Sequence, residues 1–510
     1  MLSKTHIAFP SLDQLLTGGG DARIALDDDG YNKYGCGIVP DSLSLAFGSA
    51  TASTISATAR AAANAVYQKM AAVNGGAEYY PLVEHELELV RQELKQLCGL
   101  TGEGKSANLA ATEVVFAASG TDLHLIAAQM LALSSQASQS ALPMLVIMVE
   151  PGETGSSVPA ALSGQHFSNR SALDVTVTAG ETIPGSIPTE LRTISIRAGD
   201  GSARNLQDVD AEVRALTEVA IAQQRQVMLV LADVSKTGMI APAIDVATGL
   251  SKQYRHNFHV MVDACQFRIS NASLHAYLQQ GFLVAVTGSK FLSGPSFSGA
   301  LFVPAPVAKK LKSLSLPLAL QAYSSRADWP RDWPGADKLG RQVNTGLLLR
   351  WVAALAELRA FRQLPETAIH RFVLQFGRAV QSYFKHSAHL VLLPIVIPER
   401  GGLHENVSWD QLPSIFSFLI KEASGQHFLN REQTMLVYRR LQKEKHMQLG
   451  QPVLCGVRQQ TPVSALRLCL SARLIVSAID GEGDGAEKVI EDALLVLDTA
   501  AQLAAQFEQV

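Results

Sequence analysis

"FHVMVDACQFRISNASLHAYLQQGFLVAVTGSK", residues 258–290, holds two short apolar runs on either side of a stretch with helical spacing. Runs of this length, rich in valine and closed by small or polar residues, read as strands, so the segment is one βαβ unit. A simple right-handed crossover lays the two strands side by side and parallel, which brings Asp263 and Lys290 to one sheet edge. Open α/β sheets bind their ligands outside the carboxyl ends of their strands. Taken alone, a buried acid and a lysine at that edge are as readily an ion pair as a site.

The same pattern extends outward. "TEVVFAAS" (112–119), "PMLVIMVE" (143–150) and "QVMLVLADV" (226–234) are near-continuous apolar runs separated by helical stretches. They predict a mostly parallel sheet with helices on both faces. In "HELELVRQELKQLCGL" (85–100) Leu87, Val90, Leu94 and Leu97 recur at helical spacing, with Gly99 as the stop. The expected organisation is an N-terminal arm of loops without strands over 1–54, a large α/β domain over 55–350, and a small α+β domain over 351–510. The small domain is expected to use strands at "LVLLPIVI" (390–397) and "SALRLCLSARLIV" (464–476).

Composition narrows the function. The chain has 510 residues, 47% hydrophobic and 17% charged, with a formal charge of −3, and no basic stripe suits a nucleic acid. No uncharged run is long enough to span a bilayer. Five cysteines without CxxC pairing, and no apolar leader, predict a reducing, cytoplasmic setting and no metal site. "GLTGEGKS" (99–106) satisfies the phosphate-loop pattern GxxxxGK[ST], but that loop must join a strand to a helix. Here a helix precedes it and a strand follows, so a solvated turn with Lys105 exposed is expected.

"FAASGTDLHLIAAQM" (116–130) reads as strand, turn and helix. The amides at the helix start, Gly120 and the Thr121 hydroxyl suit a phosphate dianion, although Ser-Gly-Thr before a helix is also an ordinary cap. Thr287 and Ser289 add hydroxyls at the same edge. A phosphate site, a carboxylate and a strand-end lysine are the parts that pyridoxal 5′-phosphate requires.

These residues resemble a family, the fold-type-I pyridoxal-phosphate enzymes and in particular their class V aminotransferase and cysteine desulfurase branch. The likeness is at the level of motifs and spans about residues 110–350. "VDACQ" (262–266) is similar to the branch's VDxxQ, and "TGSKFLSGPSFSGALFV" (287–303) to its lysine segment and the strand after it. The resemblance implies that Lys290 forms the Schiff base and shuttles the proton at Cα. It implies that Asp263 binds the pyridine nitrogen and that Gln266 and Ser235 lie near the phenolic oxygen. Phosphate would then be held by Gly120, Thr121, Thr287 and Ser289. Thr345, in "RQVNTGLLLRW" (341–351), resembles the stretch through which a second subunit reaches the phosphate, implying a homodimer with shared sites. Arg467 stands where relatives grip a substrate carboxylate, and a continuous strand would put Arg473 on the same face. Lys236, in "ADVSKTGMIAP" (232–242), is a rival lysine without that flanking pattern.

Two places depart from the branch. Where relatives stack a ring on the cofactor, this chain offers Thr154 and, further on, His166. Where desulfurases carry a nucleophilic cysteine, Gln459 stands, and Cys455 and Cys469 lie in strand-like sequence. Tyr31, Tyr34 and Ser49 are candidates for shaping the pocket from the N-terminal segment. The expected activity is transamination of an amino-acid-like substrate, with a lyase or decarboxylase as the alternative and desulfuration disfavoured. A non-catalytic partner with the same fold, or a nucleotide-binding protein using Lys105, are the readings from other classes.

Overall fold

The computed structural model describes residues 9–73, 76–102, 106–135, 142–401, 403, 408–481 and 485–507. Its strands in chain order are β1 (Leu45–Phe47), β2 (Glu113–Ala117), β3 (Met144–Val149), β4 (Thr189–Ile194), β5 (Val227–Ala232), β6 (Phe258–Asp263), β7 (Leu283–Thr287), β8 (Gly299–Val303), β9 (Leu390–Leu392), β10 (Ile415–Ile420), β11 (Met447–Arg458) and β12 (Thr461–Cys469).

The larger sheet has seven strands in the order β2-β8-β7-β6-β5-β3-β4. β7, β6, β5, β3 and β4 run parallel, whereas β8 pairs antiparallel with both β2 and β7. Every residue of β3 and β5 is buried. The period of two explains why such strands show no polar alternation: Leu145, Ile147, Leu229 and Leu231 face one apolar core, while Val146, Met148, Met228 and Val230 face the other. The βαβ unit forms as expected, with helix Asn271–Gln279 between β6 and β7 and Asp263 in register with Ala285.

The smaller sheet, β1-β11-β12-β10-β9, is antiparallel except for the parallel β1–β11 pair. β1 corrects the expectation of a strandless beginning. Its three residues lie on the edge offered by Met447–Leu449, a partner some 400 residues away that local sequence cannot reveal. Two further expectations change. The run at 390–397 pairs only over Leu390–Leu392 before Pro394, and the run at 464–476 breaks at Ser471, whose side chain caps helix Ala472–Asp480 by accepting from the Leu474 amide. Arg473 therefore sits on a helix, bound to Glu357, and not beside Arg467 on a strand.

Helix Tyr79–Leu97 buries Val83, Leu87, Val90 and Leu94. It ends at Gly99, whose φ of +66° and amide bond to the Gln96 carbonyl, with the Leu100 amide on the Lys95 carbonyl, make a Schellman cap. A helix thus precedes the GxxxxGKS pattern, as expected, and a short helix, Ala107–Ala110, leads from it into β2; Lys105 lies outside the described residues. Among the described residues no helix is long and apolar enough to cross a membrane.

Candidate active site

The carboxyl ends of β5, β6 and β7 open into a cavity of about 270 Å³. Asp263 closes β6, and Lys290 follows β7 after the turn that begins at Thr287. Both line the cavity, together with Gly120, Thr121, Ser235, Gln266, Ser289 and Arg467. Nearly every candidate residue thus converges on one space, because parallel strands end at one edge and the helix at Gly120–Ser135 starts there.

At the Gly120 turn a side chain has no room, since a Cβ would stand 2.8 Å from the Cys265 sulfur. The glycine therefore lets this turn pack directly on Cys265 and Thr287. The hydroxyls of Thr121 and Ser289 and the amine of Lys290 line the cavity without a protein hydrogen bond among the described residues. Thr287 differs: its hydroxyl donates to the Cys265 carbonyl at 2.6 Å, which leaves its proton engaged.

Asp263 is 9% exposed. Burial alone would raise its pKa, but His124, Cys265 and Lys290 outweigh burial and hold the carboxyl well below the usual carboxylate range. His124, one turn into the helix at Gly120, comes within 3.4 Å of Asp263 Oδ2. Gln266 donates to the Ala50 carbonyl at 3.1 Å and leaves Oε1 buried without a partner.

On the other side of β6, the turn after β5 carries Ser235 and Lys236. Ser235 donates to Glu153 Oε2 at 2.7 Å, and Arg197 and Thr237 also bind that carboxylate. Burial pushes Glu153 up, but those partners prevail and keep it below its ordinary range. Burial, then the charges of Arg467 and Lys290, push the Lys236 amine down to about 8. Arg467 is 2% exposed and among the described residues meets no carboxylate within hydrogen-bond reach: it donates to the Lys236 carbonyl, the Gln451 carbonyl and Thr51 Oγ1, and its Nε is unpartnered.

No protein-family model and no curated protein matches the sequence. Solved structures do match the fold. A cystine C-S lyase, C-DES, in complex with its product cysteine persulfide superposes with a TM-score of 0.53 at 12% identity, over 90% of this chain and 98% of that one. A glutamate decarboxylase domain from Vibrio parahaemolyticus gives 0.52 at 12% identity, over 92% and 82%. An apo cysteine desulfurase from Thermococcus onnurineus NA1 gives 0.50 at 12% identity, over 88% and 93%. The chain has the fold of the fold-type-I pyridoxal-phosphate enzymes.

Within that fold some candidates go elsewhere. Thr345 does not line the cavity; its hydroxyl lies 2.5 Å from that of Tyr79. His166 is also absent from the cavity, its Nδ1 being 2.5 Å from the Tyr323 hydroxyl, whereas Thr154 does line it. Gln459 occupies the β11–β12 hairpin turn at φ +50°, and Cys455 and Cys469 are buried in those strands. The one cysteine lining the cavity among the described residues is Cys265, and burial and Asp263 push its thiol far above its ordinary pKa, which makes it a poor thiolate. Ser49 bonds Arg268 and the Leu470 carbonyl outside the cavity, and Tyr31 does not line it, but Tyr34 does, with Arg23 and Lys33. His124, Glu153, Arg23 and Lys33 carry no motif in the sequence. For His124 the one available signal is its spacing of four residues from Gly120, one helical turn, which the sequence analysis does not use.

Proposed function

We propose that this chain is a pyridoxal-phosphate enzyme acting at Cα of an amino acid, by transamination. The observation that carries the reading is the unpartnered Lys290 amine in one cavity with an ionised Asp263 and a side-chain-free Gly120 turn. The residues fit the cofactor on the structure's own evidence, since Gln266 Oε1 is an orphaned buried acceptor and the Lys290 amine and the Thr121 and Ser289 hydroxyls line the same cavity.

In this reading the Gly120 amide and the Thr121 and Ser289 hydroxyls hold the phosphate at a helix N-terminus. Asp263 holds a proton on the pyridine nitrogen, and Gln266 and Ser235 flank the phenolic oxygen. Bound there, pyridoxal phosphate supplies a sink for the electron pair left at Cα. Lys290 would anchor it, take the proton from Cα and deliver it to C4′ of the cofactor. Arg467 holds the substrate carboxylate through its fork. The reading includes a homodimer, which sedimentation velocity tests.

A second reading is a lyase or decarboxylase, favoured by the similarity in fold to a C-S lyase, to a variant of that lyase with glycine covalently linked to its PLP cofactor, and to a decarboxylase domain. The bond that breaks depends on which Cα substituent stands perpendicular to the cofactor ring. The test is the visible spectrum with and without borohydride, beside Lys290→Ala, followed by product analysis. A yellow wild type bleached by borohydride, with a variant that lacks the band, is expected. Keto-acid formation supports transamination; release of carbon dioxide, ammonia or sulfide supports the second reading.

A further inference from the structure

The cavity walls carry more positive than negative charge. Arg23, Lys33, Lys236, Lys290 and Arg467 line it against Glu153 and Asp263. Glu153 is matched by Arg197, Asp263 faces His124 Nε2 at 3.4 Å, and Arg23 is paired with Asp21. Lys33 is exposed at the mouth. The proposed function uses Lys290 for the cofactor and Arg467 for the α-carboxylate. That leaves Lys236.

Among the described residues the Lys236 amine reaches only a neutral acceptor, the Gly152 carbonyl at 3.3 Å. It is placed away from the phosphate end: β6, with Asp263, separates β7, which leads into the Thr287–Lys290 turn, from β5, which leads to Lys236. It is also tied to Arg467, whose Nη1 donates to the Lys236 carbonyl at 3.2 Å. A partly buried ammonium without a carboxylate costs free energy unless a ligand supplies the counter-charge. Two cations held together at the substrate end present two anion sites.

We infer that the substrate is an amino acid with a carboxylate side chain, whose α-carboxylate is held by Arg467 and whose distal carboxylate is held by Lys236. This rests on the proposed function, since it takes Lys290 and Asp263 to be occupied with the cofactor. Glu153 does not oppose the side-chain carboxylate, because Arg197, Ser235 and Thr237 already occupy its oxygens.

The experiment titrates the cofactor-loaded protein with L-aspartate, L-glutamate, L-asparagine and L-glutamine, reading the change in the visible band and the shift in melting temperature. Wild type should bind at least one acid about tenfold or more tightly than its amide, the size of one charge-assisted hydrogen bond. Lys236→Met should bring acid and amide to about equal affinity while keeping the visible band, and Lys236→Arg should restore part of the preference. Lys236→Gln serves if the methionine variant does not fold. A yellow wild type that binds the amides as tightly as the acids overturns the inference and leaves the proposed function standing, as does a variant that keeps the acid preference. A protein that pyridoxal phosphate does not colour overturns the proposed function, and the inference with it.

Discussion

His124 Nε2 lies 3.4 Å from Asp263 Oδ2, while Nδ1 of the same ring is 2.7 Å from the Gly120 carbonyl. A carbonyl only accepts, so Nδ1 carries a proton and the ring is fixed against the helix that also forms the phosphate turn. His124 therefore couples the two ends of the proposed cofactor site. Removing it takes away the foremost of the influences that hold Asp263 ionised against burial. We expect His124→Gln to lower turnover by about 10–100-fold, the range for lost supporting contacts behind a site, and Asp263→Asn to lower it further. Turnover and cofactor affinity measured on both variants check this. A glutamine variant equal to wild type would show that the ring only packs.

Arg467 makes a separate prediction, because its guanidinium has two tasks. It lines the cavity, and it ties Thr51 to the Gln451 carbonyl at 2.8 Å each. Arg467→Lys keeps the charge but loses the planar fork. The expected result is a KM raised about tenfold or more with a smaller change in kcat. Arg467→Ala should in addition lower the melting temperature, since it strands buried acceptors. Equal KM values for the lysine variant and wild type would remove Arg467 from substrate binding.

Stability between the sheets depends on Arg400 and Asp233. Both side chains are fully buried, with Arg400 Nε 2.8 Å from Asp233 Oδ2 and the Tyr277 hydroxyl donating to the same oxygen. Asp233 directly follows β5, and Arg400 comes from the segment after β9, so the pair joins the large sheet to the small domain. Arg400→Met leaves a buried carboxylate unpaired and should cost about 3–5 kcal/mol. Pairing it with Asp233→Asn should recover part of that loss. Denaturant midpoints for the single and double variants measure the coupling; strict additivity would contradict it.

The sheet was legible because its strands are apolar on both faces, and the site was legible because parallel strands end together: Asp263 and Lys290 could be placed from one 33-residue segment. What escaped depends on distant partners. The β1 edge needs β11, the hydrogen bond of His166 needs Tyr323, and the hydroxyl of Thr345 is claimed by Tyr79. Arg473 was misplaced because "SARLIV" is apolar enough for a strand, and one capping serine turned it into a helix. Glu153 and Arg197 stand 44 positions apart, with a short helix, loops and β4 between them, a spacing that no motif records.

Lys236 offers a test that needs no substrate. Its amine is pushed down to about 8 from an ordinary 10.5, by burial first, then by Arg467 and Lys290, with Glu153 and Asp263 opposing. A folded pKa below the unfolded one means that the native state binds this proton less well than the unfolded chain does. The resulting cost is present in full below about pH 8 and is relieved as the pH rises from there towards the unfolded value. Cofactor-free Lys236→Met should therefore melt above wild type near neutral pH, and the gap should narrow as the pH rises past about 8. Binding of a dicarboxylic amino acid needs the charged amine, so its affinity should fall over the same interval. Melting curves of the two proteins at fixed ionic strength across that range decide it. A gap that stays constant with pH would mean that the amine is solvated and carries no unmatched charge, and the Lys236 anion site would fall with it.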